Sequence, residues 1–430
     1  MNLAEIKVKV TNLFQSSLAQ DTLWMLFSKL FNIVMQTAYF IIIARLLGKE
    51  NYGSFVAITA VANLVFPFVP LGSEHLLVKN VSTNRATFST NWGNSLVLSV
   101  VNGTFLTLLL FLLSPVLFPG NIPWVAILLI LVADLICLAL LDLGSKSLLA
   151  SNMVNKTAQL EVLGTCSKLL AALSLVVFFP NPSVNTWSYL YCTSSVVMTV
   201  ITILLITKML GLPRPILSEL RSNLVQGFYF SISTSANNIN ANLDKSMLSK
   251  ISGVASTGIY ASAYRFIDVA NSPLLALFGA TYTRFFQHGA SGVRGSLNFG
   301  KRLLPILTFY AIATVIGFWL IAPFIPVILG EDYRDAIGAL LWLSPLPAIA
   351  AFQYLAADTL TGSGHQKSRS IVQVGSALVN VVLNIILIPL FSWKGAAIAT
   401  IISDSVRLVC LWLIVFILYR RESKQDYLPG

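Results

Sequence analysis

The chain has 430 residues, of which 56% are hydrophobic and 10% charged, with a formal net charge of +11 and a mean hydropathy of +0.78. So apolar a composition excludes a soluble globular enzyme and requires a chain built almost wholly of membrane spans, each about 20 apolar residues for a ~30 Å hydrocarbon core. The basic excess reads as membrane topology, and nucleic-acid binding is excluded, because the charges sort by connection.

Residues 1–20 are too polar for a signal-peptide core, and 1–21 is expected to be a cytoplasmic amphipathic segment. Leu3, Ile6, Val10, Leu13 and Phe14 recur at helical spacing around Lys7 and Lys9, the pattern of a short helix on the inner membrane surface, although a frayed tail has the same composition. Twelve spans follow, at 22–46, 54–78, 94–118, 123–145, 157–180, 186–208, 224–249, 257–283, 302–326, 335–359, 370–391 and 395–419. They group as an N-terminal six-helix lobe (22–210), a linker with Pro213 and Pro215 (211–223), a C-terminal six-helix lobe (224–419) and a tail (420–430).

The N-terminus and the even-numbered connections carry Lys7, Lys9, Lys79, Arg85, Lys146, Lys156, Lys208, Arg214, Arg221, Arg284, Arg294, Lys301, Arg302, Lys367, Arg369, Arg420, Arg421 and Lys424. The opposite side has only Arg45, Lys49, Lys250, Arg334 and Lys394. Both termini are therefore expected in the cytoplasm.

Cys137, Cys166, Cys192 and Cys410 fall within spans without metal-ligand spacing, and His75, His288 and His365 are scattered. No disulfide framework, metal centre, catalytic triad or nucleotide phosphate loop is expected. No cofactor is expected either, H⁺ or Na⁺ coupling apart.

An internal repeat is the most informative pattern. Arg45-Leu46-Leu47-Gly48, then Gly53 and Phe55, matches Lys250-Ile251-Ser252-Gly253, then Gly258 and Tyr260, at an offset of 205; Lys156 and Gly164 match Lys367 and Gly375 at 211. Glycine adopts the positive φ that ends a helix, so Gly48, Gly53, Gly253 and Gly258 mark equivalent tight connections. Two six-span lobes of one orientation would be related by a pseudo-twofold axis along the membrane normal, with the substrate path between them.

These segments resemble a known family. Ala44 to Ile58 is similar to the first periplasmic turn of the Wzx-type polysaccharide repeat-unit flippases of the multidrug/oligosaccharidyl-lipid/polysaccharide (MOP) exporter superfamily. Asn242 to Arg265 resembles the counterpart after the seventh span, and Asn380 to Asp404 the junction of the eleventh and twelfth. The resemblance implies an all-α, twelve-helix, V-shaped bundle of MATE-like fold in a bacterial inner membrane. It implies a substrate too, an undecaprenyl-diphosphate-linked oligosaccharide carried to the periplasmic leaflet for O-antigen, capsule or other exopolysaccharide. A polysaccharide polymerase and a chain-length regulator are the implied partners, beside membrane lipids. The lipid II flippases of the superfamily usually have fourteen spans, more than this chain holds comfortably.

Charges inside spans are costly, at least ~2.5–3.5 kcal/mol each at the bilayer centre, and so mark function. Arg265 with Asp268, and Asp404 with Arg407, can neutralise each other three residues apart, or bind substrate. Asp244 and Lys245 sit near a span end, where lysine can snorkel to water and a positioning role is expected. Lys29 and Lys168 have no acid three or four residues away, which suits them to the diphosphate, unless they pair across helices, for instance with Asp134, or Lys168 pairs with Glu161 two turns before it. Asp134 and Asp268 are the candidates for carrying the coupling ion. Ser231, Ser233, Thr234, Ser235, Asn237, Asn238, Asn240 and Asn242 make the seventh span hydrophilic, either as the wall of a sugar-accommodating cavity or for interhelical hydrogen bonds. Pro67, Pro70, Pro305, Pro323, Pro326, Pro345 and Pro347 would bend or break helices for rocking between access states.

Two rivals are weighed against this. A multidrug cation antiporter of the same fold should present carboxylates in its first lobe, where the first span offers Lys29. A polymerase or ligase would need a large periplasmic loop, and no outward connection exceeds about ten residues.

Overall fold

The computed structural model describes residues 17–216 and 241–425, with Ser231, Ser235 and Asn238 between them; side chains are described over 31–216, at those three positions, and over 241–422. All regular structure among the described residues is helical, as lipid demands of backbone groups that have no water to bond.

Nine helices are long and apolar enough to cross a bilayer among the described residues. The difference from twelve has local causes. Helix α1, Ser17–Val65, contains Gly48 at φ 68°, ψ 171°, so two helices meet there and the candidate span Phe31–Phe68 holds the first two expected ones. The seventh lies largely outside the described residues, of which α7 (241–252) is the end. The eighth is α8, Val254–Gly289, 36 residues long but too polar to count among the nine.

The expected second span, 54–78, does not run through. A 3-10 turn at Phe66–Phe68 carries Pro67, Leu71 and Gly72 take positive φ, and α2 (Ser73–Thr83) starts afresh. The other named prolines also stand at starts and breaks. Pro305 opens α10 (Leu304–Ile321), Pro323 and Pro326 lie in the short turns after it, and Pro345 and Pro347 open α12 (Leu346–Gly362) behind α11 (Asp335–Leu343). Those inside described helices are Pro273 in α8 and Pro389 in α13, Gln366–Phe391. The remaining helices are α3 (Phe88–Leu112), α4 (Trp124–Ala150), α5 (Val154–Phe178), α6 (Val184–Leu210), α9 (Gly292–Lys301) and α14 (Trp393–Gln425).

The chain forms two compact units, one of the residues up to Leu47 with Ile58–Asn238, the other of Gly48–Ala57 with the residues from Ile239. In the first, Leu77, Phe88, Trp92, Leu143, Leu160, Met198 and Ile206 join α2 to α6 in one core. Gly144 faces Thr202 so closely that a Cβ would not fit, which is how small residues let membrane helices approach. The chain after α6 is pinned to α3, where Arg214 N–H donates to Ser89 O and Ile216 N–H to Asn94 Oδ1.

In the second unit, Leu274, Phe278, Phe285, Phe299, Leu307 and Leu355 form one core cluster. Its outer surface is apolar, as on α10, where Phe309, Ile312, Ile316, Trp319 and Leu320 are exposed along one stripe. Such a stripe in water would be a liability, and it suits lipid.

The repeat has a physical counterpart inside this second unit. Gly253 takes φ 89°, ψ 167°, close to the values at Gly48, 205 residues earlier. A Cβ on Gly53 would lie 2.7 Å from the carbonyl carbon of Val254, and one on Gly258 would lie 2.9 Å from that of Lys49. The two segments thus cross reciprocally, each glycine against the residue that follows the other segment's turn.

Candidate functional site

In the first unit the polar centre is built on a π-turn. Val132–Cys137 within α4 is π-helical, an extra-residue turn that re-aims its side chains, and it carries the buried Asp134. Tyr191 of α6 donates its hydroxyl proton to Asp134 Oδ1 at 2.7 Å, and Lys168 Nζ of α5 donates to the Tyr191 oxygen at 3.3 Å. The ammonium also stands 5.0 Å from the centre of the Tyr191 ring, a cation–π distance. Trp187 and Tyr39 extend the aromatic surface, with ring centres 5.6 and 5.7 Å apart in sequence from Tyr191. Lys168 and Asp134 are therefore joined through one tyrosine hydroxyl, and the lone diphosphate lysine expected at position 168 is a member of a charge-balanced trio.

In the second unit two polar networks lie along α14. Arg407 binds Gln353 Oε1 through Nε (3.0 Å) and Nη2 (2.7 Å) and Asp404 Oδ1 through Nη2 (2.9 Å), while Gln353 Nε2 donates to the Asp404 backbone oxygen. The expected pairing within α14 is thus tight and cross-braced from α12. The second network begins at buried Asp244 of α7, whose Oδ2 accepts from Tyr260 at 2.6 Å. It continues through Thr400 and Ser403 to Asn380, whose Oδ1 accepts from Asn384 at 2.8 Å. Asn384 is fully buried and its Oδ1 has no donor among the described residues, so this chain ends on an acceptor.

Arg265 and Asp268 are looser. Their charged atoms are 4.0 Å apart with both side chains half exposed, and Arg265 also hydrogen-bonds Tyr52. Lys245 does not simply reach for water: its Nζ donates to Ala241 O at 2.6 Å and sits 4.3 Å from the centre of the Tyr264 ring. Asn238 donates to Asn63 O at 2.9 Å, the interhelical use of a polar side chain. Asn237 and the side chain of Lys29 lie outside the described residues.

Tyr191, Gln353, Asn380, Asn384 and Thr400 were not among the expected site residues. Asn380 and Asn384 stand four apart in an apolar run, a spacing that puts both on one helix face and was visible in the sequence. Nothing local marks Tyr191, whose partners lie 23 and 57 residues away.

Residues 18–288 match the family model described as polysaccharide biosynthesis protein. The chain belongs to this polysaccharide biosynthesis protein family. Its fold is shared with solved transporters of the MOP superfamily. An inward-facing multidrug resistance MATE transporter superposes with TM-score 0.73 at 17% identity, over 91% of this chain and 96% of that one. The lipid II flippase MurJ, in an inward closed conformation, gives 0.69 at 14% identity over 91% and 87%. A MOP transporter from Pyrococcus furiosus, described as having a binding pocket of reverse polarity, gives 0.61 at 16% identity over 92% and 95%. No curated protein matches the sequence. This member of the polysaccharide biosynthesis family is accordingly a multi-pass, all-α membrane protein of MATE-like, transporter-like fold.

Proposed function

We propose that the protein is a flippase that moves an undecaprenyl-diphosphate-linked oligosaccharide, a repeat unit of O-antigen, capsule or another exopolysaccharide, from the cytoplasmic to the periplasmic leaflet of a bacterial inner membrane. Both termini are cytoplasmic in this reading, and a polymerase and a chain-length regulator act on the delivered product. The observation that carries it is the coincidence of a polysaccharide-biosynthesis family match over residues 18–288 with the fold of membrane exporters.

The substrate is a buried anion joined to a polar sugar chain, and the buried charges suit both parts. The diphosphate ligands in this reading are Lys168 and Lys29 in the first unit and Arg265 and Arg407 in the second, and Asn237 and Asn238 are its sugar-binding residues. When a diphosphate oxygen takes the Lys168 ammonium, Tyr191 and Asp134 lose their countercharge, and an uncompensated buried carboxylate is costly. A proton on Asp134 restores neutrality, which couples substrate entry to H⁺. Asp268, exposed beside Arg265, is the second unit's group for carrying the coupling ion in this reading. The rival reading, export of organic cations, is favoured by the likeness to the multidrug MATE transporter.

The test is a strain lacking the protein. Accumulation of lipid-linked repeat units on the cytoplasmic leaflet with loss of surface polysaccharide, restored by wild type and not by Lys168→Ala, is the expected result. Unchanged polysaccharide together with new sensitivity to cationic dyes would replace the flippase with the antiporter.

A further inference from the structure

A second cluster of ionisable groups lies in the first unit, outside the Asp134 site. Glu74 is in the first turn of α2, which packs against α3 and α4. Its side chain is 12% exposed. Oε1 stands 3.5 Å from His75 Nε2, and Oε2 is sealed from solvent with no hydrogen-bond donor among the described residues. From α4, Asp142 and Lys146 both act on Glu74 electrostatically, and both act on His75 too. Asp142 and Lys146 are four apart on one helix face, and Ser145, on the same stripe, is 6% exposed with an unpartnered Oγ. Helix α3 brings no charged residue to α2, and Arg85, in the turn after α2, donates to Ser151 O.

The helix N-terminus explains why an acid is tolerated at position 74, since exposed N–H groups favour negative charge there. It does not explain an ionised oxygen buried without a donor, which costs far more than the dipole returns. The formal charges decide what is missing. Two carboxylates and one ammonium, with His75 neutral, leave the cluster at −1, and a metal ion would have to enter beside the Lys146 ammonium. One proton balances the charge without a new cation site and turns the unsatisfied oxygen into a hydroxyl that needs only an acceptor.

We propose that Glu74 and Asp142 together hold one exchangeable proton, making the α2–α4 contact a proton-binding site separate from the Asp134 trio. The site requires nothing of the transported substrate, so its test does not depend on the flippase reading.

The purified full-length protein in lipid nanodiscs is examined by infrared spectroscopy at neutral pH for the protonated-carboxyl C=O band. The expected result is a band from this site that is lost in both Glu74→Gln and Asp142→Asn, because either change leaves a single carboxylate balanced by Lys146. Lys146→Met should enlarge the band, since the cluster then needs a second proton. Thermal unfolding gives the matching thermodynamic readout. A proton held by the folded protein and released on unfolding makes wild-type stability fall as pH rises through neutrality, and Glu74→Gln should flatten that dependence. A band unchanged in Glu74→Gln and Asp142→Asn, or unmoved by Lys146→Met, would overturn the proposal.

Discussion

Alanine at Gly53 or Gly258 should destabilise the protein, while alanine at Gly164 or Gly375 should not. The four glycines come from the same internal repeat, but their surroundings differ. At Gly53 the new Cβ would lie 2.7 Å from the Val254 carbonyl carbon and 2.9 Å from the Gly258 nitrogen; at Gly258 it would lie 2.9 Å from the Lys49 carbonyl carbon. Ordinary carbon contacts need ~3.5–4.0 Å, so the backbones must part by about 1 Å. No rotamer change relieves a clash with backbone, which puts the cost near the upper end of the ~1–3 kcal/mol range for overpacking. Alanine's better helix propensity returns about 1 kcal/mol, leaving a net loss of about 2 kcal/mol. By contrast, a Cβ on Gly164 meets Leu141 at an ordinary 3.6 Å, and one on Gly375 meets nothing within 4 Å. Those two variants should gain up to about 1 kcal/mol. One separation relieves both clashes, so the double variant Gly53→Ala/Gly258→Ala should lose less than the sum of the single losses. Thermal unfolding of purified protein reads all five variants. Equal stability of Gly53→Ala and Gly375→Ala would refute the reciprocal crossing.

Four further outcomes follow, three of them from the site. Tyr191→Phe removes the hydroxyl shared by Lys168 and Asp134; hydrogen bonds to charged groups contribute ~1.5–3 kcal/mol, so unfolding should come earlier by about that amount, and export should fall. Arg265→Ala should cost about 1–3 kcal/mol of stability, through the buried Tyr52 hydroxyl it leaves without its partner rather than through the half-exposed, 4.0 Å pair with Asp268, and should reduce export. Arg407→Ala should lower both as well, since it leaves Gln353 Oε1 and Asp404 without their donor; unfolding and surface polysaccharide are the two readouts for each variant. Glu422→Gln should weaken the seat of α14 on α9, where Glu422 accepts from Val293 and Arg294 N–H at 2.8 and 3.0 Å; a loss of about 1 kcal/mol is expected, with no loss indicating that the cap does not need the charge.

The parts of the fold that depend on local chemistry could be read directly. A glycine five residues after another, twice, at one offset, located turns whose backbone angles then agreed, because only a residue without Cβ enters that region without strain. Apolar length located the spans for a similar reason. The break at Leu71–Gly72 was hidden by an apolar run, although Pro67 and Pro70 within it were warnings. Polarity in the eighth span was visible as Arg265 and Asp268, but not that their separation would be loose while that of Asp404 and Arg407 would be tight. Gln353, far along the chain, makes that difference. The Lys168–Tyr191–Asp134 trio likewise joins three helices and rests on a π-turn, and neither tertiary contact nor an extra backbone residue has a local pattern.

The most direct test of lipid-linked sugar transport is flipping in vesicles. Undecaprenyl-diphosphate-linked oligosaccharide is incorporated into vesicles with the purified protein, and its exposure on the outer leaflet is followed with a membrane-impermeant sugar oxidant. Nearly all of the lipid should become accessible in vesicles containing wild type, and only the initial outer-leaflet half in vesicles containing folded Lys168→Ala. Wild-type protein that remains folded and leaves the inner-leaflet lipid protected would contradict the flippase assignment.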